Sequence, residues 1–185
     1  SSAYGLKNKP PLSEEMKKDC LNPYSVTKTC GEEMALMYAS LYNLGTVVFR
    51  YFNVYGDRQP LKGQYAPVVG IFLRQREQNT PLTIVGDGTQ RRDFTHIDDI
   101  VEANIRAADL LNDKCVGEII NVGTGINHSV LELAKLISDN HIYLESRRGE
   151  AKETLASTKK TVQIFDWKPE NKLKLWVKKQ TNKEL

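Results

Sequence analysis

The apolar positions of the chain fall into short runs and helical stripes rather than one long block. Residues 1–5 read as the end of a strand entering a turn, and residues 6–22, polar with a Pro10-Pro11 pair, as a loop. Pro23 suits a first helical turn. The spacing from there to about Leu44 predicts a helix, with Gly45 as its stop. Thr46–Phe52 is β-branched and aromatic, the pattern of a buried strand. Residues 53–65, with Gly56, Pro60 and Gly63, predict a loop of functional character. A helix follows over Pro67–Gln78, a short strand over Leu82–Val85 and a turn at Asp87-Gly88. Asp93–Thr95 is extended, Ile97–Leu111 helical, and Glu118–Asn121 a strand ending at Gly123-Thr124-Gly125. Val130–Asp139 is another helix, and the remainder reads as irregular up to a final amphipathic helix near Leu173–Gln180. Strands alternating with helices predict an α/β fold with a mainly parallel sheet.

Composition narrows the picture. With 185 residues, 40% of them hydrophobic, the chain is long enough for a real core. No apolar run approaches the ~20 residues of a membrane span. The opening Ser1-Ser2-Ala3-Tyr4-Gly5 has no basic stretch leading into an apolar one, so no secretory leader is expected. The formal charge of +3 is uneven. Residues 151–185 hold nine Lys and four acidic side chains, a net of +5 that leaves −2 elsewhere. Few aromatics interleave those lysines, so a solvated helix face is the reading, and neither nucleic acid nor membrane is an expected partner. Cys20, Cys30 and Cys115 have no metal-ligand spacing. They read as reduced thiols of a cytoplasmic protein, and no metal is expected.

A dinucleotide enzyme carries Gly-x-Gly-x-x-Gly at its first strand-to-helix turn. Here Gly123-Thr124-Gly125 lacks the third glycine and lies past the middle of the chain. Either the chain is no such enzyme, or that turn lies upstream of Ser1. The chemistry-bearing spacing is Tyr24-Ser25-Val26-Thr27-Lys28, which puts a phenol and an ammonium one helical turn apart on one face. A neighbouring ammonium favours a phenolate, making Tyr24 a candidate acid/base for a substrate hydroxyl.

Six segments in order carry a resemblance. They are Tyr4-Gly5, Tyr24–Lys28, Arg50-Tyr51-Phe52-Asn53-Val54-Tyr55-Gly56, Gly86–Phe94, Asn121–Gly125 and Arg147-Arg148-Gly149-Glu150. Together they resemble the extended short-chain dehydrogenase/reductase family of nucleotide-sugar epimerases and dehydratases, from the first residue to about residue 168. The resemblance implies the C-terminal part of a Rossmann-like, doubly wound parallel sheet plus a small α/β substrate-binding subdomain. Residues 1–56 with 86–125 would be the remainder of the catalytic domain, and 57–85 with 126–185 the subdomain; the half bearing the NAD fingerprint is expected upstream.

By the same resemblance, Tyr24 matches the catalytic acid/base and Lys28 the lysine that holds the nicotinamide ribose and favours the phenolate. Tyr51, Phe52 and Asn53 match a strand end that contacts the nicotinamide of NAD and the sugar. Arg92 and Arg147 match two arginines that grip the diphosphate, which suits a guanidinium fork. Glu150 matches a carboxylate on the nucleotide ribose, and Thr83 and Val85 match backbone contacts to the base, typically uracil. Asn121 and the glycines after it read as structural; His96 falls in a segment the family places near the diphosphate end and reads equally as a helix cap or packing residue. The family's catalytic Ser or Thr would fall one position before Ser1. The helix of Tyr24 resembles one that pairs across a homodimer interface.

Within the family, 4,6-dehydratases carry Asp-Glu three and two residues before the Tyr of Tyr-Gly, and UDP-glucuronate decarboxylases keep the Glu. Here Ser1 and Ser2 stand there, so the expectation is 4-epimerisation of a UDP-hexose. A 4-keto reduction, a dehydratase or a non-catalytic nucleotide-sugar-binding fragment are the alternatives, and a chain of this extent alone is expected to be inactive. Thr154 matches a gate position, where a small residue leaves room for a 2-acetamido group.

Overall fold

The computed structural model describes residues 1–63, 66–110, 115–146 and 149–181. The strands are β1 (Val48–Tyr51), β2 (Asn53–Tyr55), β3 (Leu82–Val85), β4 (Arg91–His96), β5 (Ile119–Val122), β6 (Asn127–Ser129) and β7 (His141–Leu144). The helices are α1 (Pro23–Tyr42), α2 (Val68–Glu77), α3 (Ile97–Asp109), α4 (Val130–Ile137), α5 (Lys159–Phe165) and α6 (Leu173–Thr181). The fold is α/β, with parallel pairing as the alternation predicts. Strands β1 and β5 pair in parallel, Arg50 opposite Asn121. Strand β4 is central to a second sheet, parallel to β2 and antiparallel to β6, with Asn53 opposite Phe94 and Arg92 opposite His128. Strands β3 and β7 form a third, parallel pair.

Local chemistry sets the helix ends. At the start of α1, Asn22 Oδ1 accepts the Ser25 N–H at 2.9 Å and Ser25 Oγ accepts the Asn22 N–H at 3.2 Å, a reciprocal cap. Asn43, at φ 52°, closes the helix in the left-handed conformation, ahead of the expected Gly45; a short amide side chain tolerates that region. Helix α3 is capped by His96, whose Nδ1 accepts the Asp98 N–H at 3.2 Å. Asp98 and Asp99 then complement the positive end of the helix dipole. The predicted end of that helix, Leu111, lies outside the described residues.

Three expectations change. Ser2–Tyr4 forms a 3-10 turn, not a strand end, with the Tyr4 N–H on the Ser1 carbonyl at 3.1 Å and the Tyr4 ring buried. Asn53–Tyr55, expected as loop, is strand β2, because β4 supplies a parallel edge for it. The segment expected to be irregular after α4 contains β7 and α5, which gain their order from β3 and from the core beside β5.

The largest apolar cluster lies between α2, α4, α6 and β3, and includes Phe72, Leu82, Ile84, Leu133, Ile137 and Val177. Each such side chain contributes ~1.5–3 kcal/mol by leaving water. Smaller clusters join β1, β5, α3 and α5, with Ile120, Val122, Ala103 and Phe165 buried. Between them runs a polar core. Asn121 is fully buried; its Oδ1 accepts the Tyr4 hydroxyl at 2.5 Å and its Nδ2 donates to the Leu12 carbonyl at 2.8 Å. Asp93, also fully buried, accepts from Thr124 N and Oγ1, Gly125 N and Ala156 N at 2.6–3.1 Å. Gly123 is required beside it, since a Cβ there would sit 2.5 Å from Ala156 Cβ.

Candidate active site

An open cleft of about 840 Å³ runs from α1, past the ends of β1 and β2, to β3 and β4. Tyr24, Tyr51, Phe52, Asn53, Thr83, Val85, Arg92 and Glu150 all line it, so eight of the residues picked from the sequence share one surface. Lys28 stands just behind Tyr24, its Nζ 5.2 Å from the centre of the phenol ring. Lys28 makes no ion pair among the described residues. Thr154 does not line the cleft. It is buried behind Asn53, its Oγ1 3.5 Å from Asn53 Oδ1. Arg147 lies outside the described residues.

At the α1 end, Tyr24 is half-exposed across from the end of β1. The Tyr51 hydroxyl is held by Asn104 of α3 at 2.9 Å, which fixes that ring at the cleft rim. Phe52 is buried, its N–H continuing the β1–β5 ladder to the Val122 carbonyl at 3.0 Å. Tyr55 also borders the cleft, but its hydroxyl is buried without a hydrogen-bond partner among the described residues. Burial, reinforced by Asp99, pushes that phenol well above its usual range. Tyr55 therefore keeps its proton; of the three phenols on the cleft, Tyr55 is buried, Tyr51 is tied to Asn104, and Tyr24 is the most exposed.

At the other end the geometry adds what the sequence could not. Arg92 and Glu150, picked separately, are joined by a hydrogen-bonded ion pair of 3.0 Å. Burial lowers the Arg92 pKa and Glu150 pulls it back up, so the guanidinium is held charged against a low-dielectric wall. Among the described residues Arg92 pairs with neither of its chain neighbours Asp93 and Asp98. The Thr83 N–H already donates to Gln75 Oε1 at 3.1 Å, and Gln75 Nε2 donates to Thr83 Oγ1 at 2.9 Å. Gln90 donates to the Val85 carbonyl at 2.8 Å. These glutamines escaped sequence reasoning: Gln90 lies within the quoted Gly86–Phe94 segment, whereas Gln75 gives no signal on α2. His96 and Asn121 play the structural parts expected of them, as cap and as core hub.

The cleft thus sets a phenol and an amine at one end and a guanidinium–carboxylate pair at the other. That arrangement suits an elongated ligand with a hydroxyl to be deprotonated and an anionic group to be gripped. The described residues contain no cluster of His, Cys, Asp or Glu suited to a metal ion. They also contain no helix long and apolar enough to cross a membrane.

Residues 1–123 match the NAD dependent epimerase/dehydratase family. The chain is 37% identical over 187 residues to a putative UDP-glucose 4-epimerase of Methanocaldococcus jannaschii, covering 98% of this chain and 59% of that protein. Among solved structures it resembles a UDP-N-acetylglucosamine 4-epimerase from Methanobrevibacter ruminantium M1, in complex with UDP-N-acetylmuramic acid. The TM-score is 0.89 and the identity 30%, over 98% of this chain and 59% of that one. It also resembles a UDP-glucuronic acid 4-epimerase from Bacillus cereus in complex with UDP-glucuronic acid and NAD. There the TM-score is 0.87 and the identity 33%, over 98% and 58% of the two chains. The chain therefore spans less than two thirds of the length of these relatives.

Proposed function

The chain belongs to the NAD dependent epimerase/dehydratase family, and from that premise we propose that it forms the sugar-handling part of a UDP-hexose 4-epimerase. The reaction passes through a transient 4-keto sugar, with NAD tightly held. One observation carries this reading: the Tyr24–Lys28 pair and the Arg92–Glu150 pair meet on a single cleft.

The residues fit the nicotinamide end of NAD. An accessible phenol, an ammonium without a carboxylate partner among the described residues, and the aromatic Tyr51 and Phe52 converge there. When bound, NAD supplies reversible hydride acceptance. The chain's own residues do the rest. Tyr24 Oη takes the proton of the C4 hydroxyl and returns it. Lys28, its ammonium 5.2 Å from the Tyr24 ring centre, holds the nicotinamide ribose. Asn53 contacts the sugar. Arg92, with Arg147, grips the diphosphate, and Glu150 the nucleotide ribose; Arg92 then exchanges one acceptor, the Glu150 carboxylate, for another. Thr83 and Val85 offer backbone to the base, where Gln75 occupies the Thr83 N–H. Thr154 bears on sugar size through Asn53, and a small residue there leaves room for a 2-acetamido group.

We extend the proposal to organisation. Residues 1–56 with 86–125 form the catalytic part and 57–85 with 126–185 the nucleotide-sugar subdomain, whose helices α2, α4 and α6 share one apolar core that Tyr55 and Phe94 of the catalytic part also enter. The full-length protein is a homodimer through α1, and residues 1–185 alone do not turn over. Three free thiols support a reducing compartment, the cytoplasm.

The test is an NMR time course of the full-length protein with NAD and UDP-N-acetylglucosamine or UDP-glucose, following the configuration at C4. The galacto epimer is expected, with turnover abolished by Tyr24→Phe. Accumulation of a 4-keto product would replace the reading with a dehydratase or oxidase, and binding without turnover with a non-catalytic relative.

A further inference from the structure

Helix α1 is polar on its inner side. Its buried residues are Ser25, Thr29 and Glu32, while Val26, Met34, Met37, Tyr38 and Leu41 are exposed. Within the described residues, apolar packing therefore does little to fix the rotation of the helix about its own axis. What grips it is a buried fork: Arg50 Nε and Nη2 donate to Glu32 Oε2 and Oε1 at 2.9 and 2.8 Å, with both side chains nearly inaccessible. Lys18 adds a contact of 2.7 Å to the same carboxylate. The guanidinium is itself immobilised. It lies 4.9 Å from the centre of the Tyr4 ring and donates to the Glu14 carbonyl at 3.3 Å. A bidentate pair fixes orientation as well as distance.

This fork joins α1 to β1, the two elements that form the Tyr24 end of the cleft. Glu32 is one helical turn beyond Lys28 and about two, or about 12 Å along the axis, beyond Tyr24. Arg50 directly precedes Tyr51, Phe52 and Asn53, the residues that face Tyr24 across the opening. A side-chain tip stands about 6 Å from a helix axis, so a rotation of about 10° moves it about 1 Å. Displacements of that size cost about 100-fold in rate where a proton must be taken in line.

We propose that Glu32 and Arg50 are positioning residues, a buried fork that sets the rotation of α1 and so aims Tyr24 and Lys28 at the strand end carrying Asn53. This rests on the reading of Tyr24 as the acid/base. The decisive variant is the double replacement Glu32→Leu/Arg50→Met in the full-length protein. Apolar pairs of similar size replace buried ion pairs with little loss of stability, so the melting temperature is expected to stay within about 5 °C of the parent. The kcat is expected to fall at least about tenfold, with KM for UDP-N-acetylglucosamine within about twofold. Arg50→Lys, which keeps the charge and loses the fork, is expected to show the same split and to stand in should the double variant not fold.

A second readout does not depend on turnover. With 3-fluorotyrosine placed at position 24, the fluorine resonance is expected to shift or broaden in either variant. If the resonance is unchanged in a folded variant, the proposal is overturned, whatever the activity. If the melting temperature and kcat both match the parent, the fork is ordinary packing and the proposal fails. If the parent itself shows no turnover, the epimerase reading fails, and the fluorine signal still decides whether the fork aims Tyr24.

Discussion

Asp93 shows how much one residue can hold. Burial pushes its carboxyl above the ordinary range, and the donors from Thr124, Ala156 and Gly125 pull the other way. Asp93→Asn keeps the size of the side chain but turns an NH₂ group toward donors. It is expected to cost about 2–4 kcal/mol, read as a lowered urea midpoint with an unchanged slope. None of this was legible in the sequence, where Asp93 is one letter of the segment Gly86–Phe94 and its partners are 31 to 63 residues away. Tyr24 and Lys28 were legible for the opposite reason: their proximity is a property of the helix alone. The Arg92–Glu150 pair falls between these cases. Both residues were picked, yet only the fold joins groups 58 positions apart.

At the scale of elements, the parts with strong local signals formed as expected. Helix α1 begins at its Asn22-Pro23 signal, and α2, β3 and α3 lie within a residue or two of their predicted bounds over the described residues. The elements that were missed are short and borrow their order. Strand β6 has three residues and β7 four, each paired to a strand more than thirty positions earlier in the chain. Helix α5 has seven residues and buries only Thr161 and Phe165, too little periodicity to read. The end of α1 gives a local test. Asn43 occupies a left-handed conformation that glycine adopts without strain. Asn43→Ala is expected to destabilise by about 1 kcal/mol and Asn43→Gly to be neutral or better, measured by thermal unfolding.

For the whole molecule, the exposed row Met34, Met37, Tyr38 and Leu41 on α1 is the natural contact of the proposed homodimer. Leu41, 67% exposed, makes a clean probe. Leu41→Glu in the full-length protein is expected to leave the fold within about 0.5 kcal/mol while shifting sedimentation from dimer toward monomer. The fold class was readable because strand–helix alternation has few solutions, whereas the way the sheets share one polar interior was not. That interior has a consequence for how the protein opens. The amides of Thr124, Gly125 and Ala156 all end on the single carboxylate of Asp93. Two loop segments distant in sequence, at 124–125 and at 156, are thereby stitched to β4 at one point. In deuterated solvent their amide protons are expected to be lost together, at one common rate where exchange outpaces reclosing, as a single cooperative unit rather than as two separate loops.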